Sequence, residues 1–326
     1  MRVLITGLSG FAGAALLPRL LEQGHEVRAL ARDRTRVRSA LESSEASIAD
    51  VDLTIGDTLS GAGVLGAMRD VEVAYYLIHS MEPSAGEVGG ISFSERERTS
   101  AQTFAAAARA AGVGRIVYLG GLLPREHSSV RGDGRAKVSS HLASRYAVER
   151  ILLDAVPDSV ALRASIVVGA RSRSFRFLVR LVERMPVLAL PAWRRFRTQP
   201  IDERDIVEML ASCAGSQSVG GRSLDVGGPD VLSYGEMVER IAESMMLARP
   251  TVGLGVTITP IAARLAAVLA EERPELVLPL MEGLTGDLLT GEDDSAEMLD
   301  VELHSFDSAV EHALYEWEKI EPLAAR

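Results

Sequence analysis

The sequence contains a single cysteine, Cys213, so an internal disulfide and a cysteine-based metal site are both excluded. We expect this side chain to be a small buried apolar residue rather than a nucleophile, and we expect no metal site. An excess of positive charge is also absent, since the formal net charge is −10. Because binding to nucleic-acid phosphates needs a basic face, the composition argues against a general nucleic-acid binder.

The chain also lacks an unbroken apolar run of about 20 residues, the length that crosses a bilayer. Its longest apolar region, residues 252–272, is interrupted by Pro260 and Arg264. We expect a core helix there rather than a membrane-surface helix, and no integral membrane segment. The N-terminal MRVLITGLSG resembles a strand entering a glycine turn and has no features of a secretory signal. A cytoplasmic location is therefore expected.

Short β-branched runs alternate with helical patterns through the first half of the chain. This alternation predicts an α/β fold with a parallel sheet covered by helices on both faces. Right-handed crossovers then give a doubly wound, Rossmann-type sheet. A seventh strand, at residues 223–228, is expected to return to the sheet edge. The six earlier candidate strands are residues 3–6, 26–31, 51–56, 71–78, 115–120 and 159–165.

The segment TGLSGFAG follows the first predicted strand and opens the first predicted helix. Gly7 permits a tight turn, Gly10 lets the main chain approach a pyrophosphate, and Gly13 allows close packing of the helix on the sheet. The helix N-terminus favours negative charge. The segment therefore predicts dinucleotide binding. The candidate contacts are Thr6, Gly7, Gly10, Phe11, Ala12 and Gly13.

The second predicted strand ends at Arg32, where an NAD-specific site usually has an acidic residue. A guanidinium suits a 2′-phosphate, and Arg34 and Arg36 add positive charge, so NADP(H) is predicted in preference to NAD(H). Asp57 ends the third strand. Its carboxylate either accepts a hydrogen bond from the adenine amino group or belongs to an ordinary turn.

These features divide the chain into two parts. Residues 1–165, with residues 200–228 returning to the sheet, are predicted to form the dinucleotide-binding domain. Residues 166–199 and 229–326 are predicted to form a smaller, mostly helical lobe that contacts the substrate. Trp193 and the apolar residues of this lobe are candidates for the substrate wall.

Six segments together resemble the short-chain dehydrogenase/reductase superfamily, and more narrowly its atypical, NmrA-like branch with a C-terminal extension. The resemblance covers essentially the whole chain, and none of its motifs is specific for a substrate. The segments are TGLSGFAG, the GD pair at 56–57, AYYLIHSM at 74–81, AGVGRIVYLGGL at 111–122, HLASRYAVE at 141–149 and VGGPDVLSYGEM at 226–237.

The resemblance implies a catalytic set that this chain lacks. Standard members have a serine after the fifth strand and Tyr-x-x-x-Lys on the following helix. Matching Ser144 and Glu149 to the family pattern puts His141 at the tyrosine position and Arg145 at the lysine position. The serine position falls in the glycine pair at 120–121. All three standard groups are therefore predicted to be missing.

His141 is the candidate proton donor, because an ordinary histidine pKa near 6.5 allows proton transfer near neutrality. The alternative is a polar residue lining a vacated pocket. Arg145 is expected to hydrogen-bond ribose hydroxyls or a phosphate. Tyr146 lies five residues past His141, about 140° around the helix, and is expected to have a packing or surface role.

Three further candidates for cofactor contact follow the fourth and fifth strands, where cofactor-side loops gather in this fold. Ile78 and Gly120 are expected to line the site. His79 either lines the nicotinamide pocket or caps the next helix.

The leading hypothesis is an NADP(H)-binding atypical reductase of a small, partly apolar substrate with an activated C=C, C=N or carbonyl bond. The rival is a non-catalytic NAD(P)H-binding regulator, redox sensor or structural protein, which the loss of the standard groups would permit. A monomer or a homodimer is expected.

Overall fold

The computed structural model describes residues 1–42, 46–78, 92–124, 140–254, 286–291 and 294–323. Seven strands of this part of the chain form one parallel sheet, in the order β11-β6-β5-β4-β1-β2-β3. The predicted doubly wound sheet is confirmed, including the last strand at the edge beside β6. The strands are β1 (Arg2–Thr6), β2 (Glu26–Ala31), β3 (Asp52–Ile55), β4 (Val73–Tyr76), β5 (Arg115–Gly121), β6 (Val160–Ala164) and β11 (Arg222–Val226).

Six short strands pair outside this sheet and shape the region after β6. β10 pairs with β7, β12 with β9, and β13 with β8. Their bounds are β7 (Val167–Val168), β8 (Leu188–Leu190), β9 (Arg197–Thr198), β10 (Ile201–Asp202), β12 (Leu232–Ser233) and β13 (Thr251–Gly253).

Helices cover both faces of the sheet and build the smaller lobe. In the described part of the chain they are α1 (Phe11–Glu22), α2 (Arg34–Leu41), α3 (Val64–Ala67), α4 (Phe93–Ala111), α5 (Ser140–Ala155), α6 (Arg173–Arg184), α7 (Glu203–Ser212), α8 (Tyr234–Ser244), α9 (Ser295–Leu299) and α10 (Phe306–Glu318).

Alternate residues of the central strands enter separate apolar cores. Ile5 and Tyr75 pack with α1, α2 and α7 on one face. Leu4, Tyr76 and Tyr118 pack with α3, α4 and α5 on the other. Side chains of a strand alternate between its faces, so a sheet covered on both sides needs apolar residues at successive positions. This requirement explains the nearly continuous apolar runs in the sequence.

A third apolar core lies in the lobe and joins α6, α8 and α10. It includes Trp193 and Trp317, both buried. The predicted helix after the edge strand is present as α8, and its first turn is closed by reciprocal hydrogen bonds between Ser233 and Glu236. The predicted core helix within residues 252–272 falls almost entirely outside the described residues, and the domain boundaries stay predictions.

Cys213 is buried at the end of α7, and burial raises the pKa of its thiol to about 12. The thiol is therefore protonated and shielded, as expected for a small core residue. The described helices include none that is both long and apolar enough to cross a membrane.

Arg115 joins β5 to the ends of β6 and α7. Its side chain is buried and bonds Asp158, while its Nη1 donates to the carbonyl oxygens of Cys213 and Ser216 at 2.6 Å each. Both carbonyl oxygens accept hydrogen bonds from the same guanidinium. The Arg115 side chain therefore fixes the packing of β5, β6 and α7.

We predict that Arg115→Met lowers the free energy of unfolding by about 3 kcal/mol, because it leaves buried carbonyls without donors. Urea denaturation measures the change. Arg150→Met is the control, since Arg150 forms an exposed i,i+4 pair with Asp154, and about 0.5 kcal/mol or less is expected there. Equal losses in the two variants would contradict the role assigned to Arg115.

Candidate functional site

The turn after β1 is held in a conformation that excludes side chains. Gly7 has φ +75°, and a Cβ there would lie 2.5 Å from the carbonyl oxygen of Leu77. The Gly10 N–H donates to the Gly7 carbonyl at 2.8 Å and closes the turn. Gly10 is also the N-cap of α1, and no side chain of a described residue caps this helix. The first N–H groups of α1 thus remain available to an anion.

Two residues predicted as contacts lie behind this turn. A Cβ on Gly13 would meet the Gly7 carbonyl oxygen at 2.5 Å, so glycine here lets α1 begin directly against the turn. The Thr6 hydroxyl donates to the carbonyl of Tyr75 at 2.9 Å and joins β1 to β4. Neither residue is among the described residues that line the adjoining cavity. Both support the turn instead.

A cavity of about 1,090 Å³ starts at the turn and continues into the lobe. Gly7, Gly10, Phe11 and Ala12 line it at the sheet, as predicted from the sequence. Leu8 and Ser9 line it too, although the glycine motif alone does not single them out. At the far end the lining comes from α6, β8, Trp193 and Tyr234. One continuous space therefore reaches from the sheet edge to the lobe core.

The chain just after β2 contributes two positive charges, Arg32 and Arg36, and one negative charge, Asp33, to the cavity. Arg32 and Arg36, four residues apart and both exposed, line the cavity, whereas Arg34 is not among the described lining residues. Asp57 also lines it, and its Oδ1 accepts a hydrogen bond from the N–H of Leu59 at 3.0 Å. Asp57 therefore forms a turn; a bond to adenine stays a prediction.

The ends of β4 and β5 place two predicted residues at the cavity, Ile78 and Gly120. His79 lies outside the described residues. A Cβ on Gly121 would lie 2.8 Å from Leu142 Cδ2, and a Cβ on Gly120 would lie 3.0 Å from the Tyr118 ring. A serine at either position would therefore require the side chain of Leu142 or Tyr118 to move.

α5 presents His141 and Arg145 to the cavity, one turn apart. Arg145 lies over the ring of Tyr118, 5.1 Å from its centroid, and donates to the carbonyl of Leu119. Burial, and secondarily the positive charge of Arg145, lower the pKa of His141 to about 4. The sequence suggested an ordinary histidine pKa. The structure corrects this, because in this environment His141 is neutral at physiological pH.

Tyr146 lies on a different face of α5. It is 43% exposed, its ring is 5.9 Å from the Arg163 guanidinium carbon, and it is not among the described lining residues.

Two groups of lining residues were missed by sequence reasoning. Arg96 and Ser100 lie on α4. Arg171, Ser172, Arg173 and Ser174 surround the start of α6. The second group had a signal in the sequence, because ARSRS follows closely after the sixth predicted strand and the carboxyl ends of parallel strands meet at one edge of the sheet. Six arginines and two aspartates are the charged residues among the described lining, so an acidic chain has a basic cavity.

The residues present fit a dinucleotide. The turn is built of glycines that line the cavity, the start of α1 has no side-chain cap among the described residues, and arginines follow β2. These are the features by which a Rossmann-type fold holds a pyrophosphate and an adenosine ribose.

Comparison with known proteins supports this interpretation. A model of the "NAD dependent epimerase/dehydratase family" matches residues 3–190. Divinyl chlorophyllide a 8-vinyl-reductase of Zea mays is 25% identical over 248 residues, or 73% of this chain and 59% of that protein. The 2-alkyl-3-oxoalkanoate reductase of Stenotrophomonas maltophilia is 28% identical over 197 residues, or 56% of each chain. The chain thus covers less than two thirds of these relatives' lengths.

A solved structure shares the fold. UDP-glucuronic acid 4-epimerase from Bacillus cereus, in complex with UDP-glucuronic acid and NAD, superposes with a TM-score of 0.71 at 15% identity. The match covers 98% of this chain and 100% of that one. The predicted NmrA-like subtype receives no support from these matches.

We predict that Gly10→Val abolishes dinucleotide binding and leaves the chain folded, because a branched side chain would occupy the approach to the turn. Even a Cβ at this position would lie 3.1 Å from the Gly7 carbonyl oxygen. Titration calorimetry with NADPH measures binding, and circular dichroism measures folding. Gly66→Ala is the control, since a Cβ on Gly66 meets nothing within 4 Å. Normal binding by the Gly10 variant would place the phosphates elsewhere.

Proposed function

The chain belongs to the NAD dependent epimerase/dehydratase family, and from this premise we propose that it is an NADPH-dependent reductase of a small, partly apolar organic substrate. The observation that carries the proposal is one continuous cavity, which runs from the glycine turn, past His141, into the apolar lobe. Both compared relatives are named as reductases, which supports this direction of reaction.

The end of the cavity beside the glycine turn, which we call the cofactor end, favours the phosphorylated dinucleotide. A 2′-phosphate adds about −1.5 to −2 charge near neutral pH, and Arg32 and Arg36 line the cavity just after β2. In our proposal Arg32 binds this phosphate and the N–H groups at the start of α1 bind the pyrophosphate. Arg145, fixed by the Leu119 carbonyl, bonds a hydroxyl of the nicotinamide ribose.

In our proposal, His141 stabilises the negative charge that develops on the substrate. When bound, the nicotinamide supplies a hydride. We propose that neutral His141 donates a hydrogen bond to the substrate atom on which negative charge develops, as an electrophile rather than as an imidazolium acid, and that a water molecule supplies the proton that completes the reduction. Burial, and secondarily the positive charge of Arg145, keep the imidazole neutral. A neutral imidazole is a weaker hydrogen-bond donor than an imidazolium. This arrangement therefore suits an activated C=C, C=N or carbonyl bond, which needs less help from a donor.

The proposal retains the atypical character of the chain. Glycines at 120–121, histidine at 141 and arginine at 145 replace the serine, tyrosine and lysine of the standard set. This assignment is supported by the position of Leu142, because a Cβ on Gly121 would lie 2.8 Å from Leu142 Cδ2 and a serine there would require Leu142 to move.

We predict that Arg32→Ala weakens NADPH binding about tenfold or more and leaves NADH binding unchanged, because the lost contact is to the 2′-phosphate. Titration calorimetry with each dinucleotide measures the effect. Arg34→Ala is the matched control, since Arg34 is a neighbouring exposed arginine that is not among the described lining residues. Equal NADPH and NADH affinities in the unmodified protein would refute the preference.

We predict that His141→Phe keeps NADPH affinity and loses about 10²-fold in turnover, the effect of removing one pre-placed hydrogen-bond donor. A panel of enones, imines, carbonyls and quinones, followed by NADPH oxidation, first identifies a working substrate. Because the pKa of His141 is about 4, its neutral form predominates above pH 5. Its contribution should therefore be constant between pH 6 and 8.

Tyr146→Phe is the control and should retain full turnover. A His141-dependent rate that falls tenfold per pH unit between pH 6 and 8 would instead identify an imidazolium donor. If no compound on the panel oxidises NADPH, the reductase proposal fails.

A further inference from the structure

The start of α6 forms a polar site inside the cavity. Ser172 is the N-cap of this 12-residue helix but forms no side-chain cap bond. It is only 6% exposed and lines the cavity, and its hydroxyl bonds no other described residue. A hydroxyl that faces a cavity without a protein partner can donate to, or accept from, a ligand there. The unpartnered hydroxyl therefore points to a ligand group at this position.

The surroundings of Ser172 favour an anion. The first N–H groups of α6 carry partial positive charge, since the first bond within the helix comes from Arg176 to the Ser172 carbonyl. Arg171 and Arg173, on either side of Ser172, both line the cavity. Arg171 is oriented by a 2.7 Å bond from Nη1 to the carbonyl of Ala40.

Among the described residues, little negative charge opposes Arg171. Burial, and secondarily Asp202, raise the pKa of Glu203 to about 7, although the charge of Arg171 acts in the other direction. Near neutral pH a large share of Glu203 is therefore protonated, and it compensates Arg171 only in part.

The rest of the same helix is apolar where it meets the cavity. Ser174 is followed by Phe177, Leu178, Leu181 and then Met185, just past the helix end. Phe177 and Leu178 follow Ser174 by three and four residues, and Leu181 and Met185 follow Leu178 and Leu181 by three and four, so these side chains form one stripe, about 16 Å long at 1.5 Å per residue. Lining residues opposite include Leu190, Trp193, Leu254 and Leu288, and no described lining residue after Arg173 in the chain is charged.

We infer that the substrate is an amphipathic carboxylate that lies along α6. Its carboxylate binds at Ser172, Arg173 and the helix N-terminus, and its apolar body covers the stripe down to Met185. This inference rests on the proposed function, because it assigns the substrate class of the same cavity. A polyhydroxylated sugar fits less well, since its hydroxyls would meet an apolar wall without partners.

Calorimetry with decanoate and decan-1-ol tests the inference, using the protein saturated with NADPH. We expect one decanoate per chain, bound at least tenfold more tightly than the alcohol. Affinity should rise about three- to fourfold per methylene from hexanoate to decanoate, as each added CH₂ is buried. Ser172→Ala and Arg173→Ala should each weaken decanoate severalfold to tenfold and leave the alcohol unchanged.

Arg195→Ala is the matched control, because Arg195 is an exposed arginine of the same lobe that is not among the described lining residues. Equal binding of acid and alcohol, no dependence on chain length, or unchanged decanoate affinity in both variants would overturn the inference. Tighter binding of UDP-glucose, with displacement of decanoate, would assign the cavity to a nucleotide sugar. NADPH affinity, measured separately, tests the proposed function, so the two failures are distinguishable.

Discussion

The cofactor end of the cavity depends on the close approach of two main-chain segments at the carboxyl edge of the sheet. The turn after β1 lies against the chain after β4, and a single Cβ at Gly7 would meet the Leu77 carbonyl oxygen at 2.5 Å. The Thr6 hydroxyl bonds the Tyr75 carbonyl beside this contact. Because the two segments are so close, α1 starts directly above the sheet edge and its free N–H groups face the cavity.

Charge is distributed unevenly in this molecule. The chain carries a net charge of −10, yet six arginines and two aspartates are the charged residues in the described lining of the cavity. Positive charge lies where phosphates or a carboxylate would bind, and the remaining wall is apolar. An acidic exterior with a basic cavity favours anionic ligands in the cavity over extended polyanions on the surface.

The environment of α5 changes the chemistry that its residues can perform. Burial and Arg145 keep His141 neutral, and a Cβ at either glycine at the end of β5 would meet Tyr118 or Leu142. A neutral imidazole stabilises developing charge by hydrogen bonding, whereas an imidazolium would transfer a proton. In the proposed reaction the replacements act together, because a weaker donor would restrict the protein to substrates that need less help from an acid.

The sequence alone determined the sheet, its parallel strands, the glycine turn and the arginines after β2, because each depends on local periodicity or on adjacent residues. It did not reveal that Ser172 and Arg171 share a cavity with Gly10, or that the pKa of His141 is about 4. Those properties arise between residues far apart in the chain. Burial and electrostatic interaction depend on distance through space, and only the tertiary structure fixes that distance.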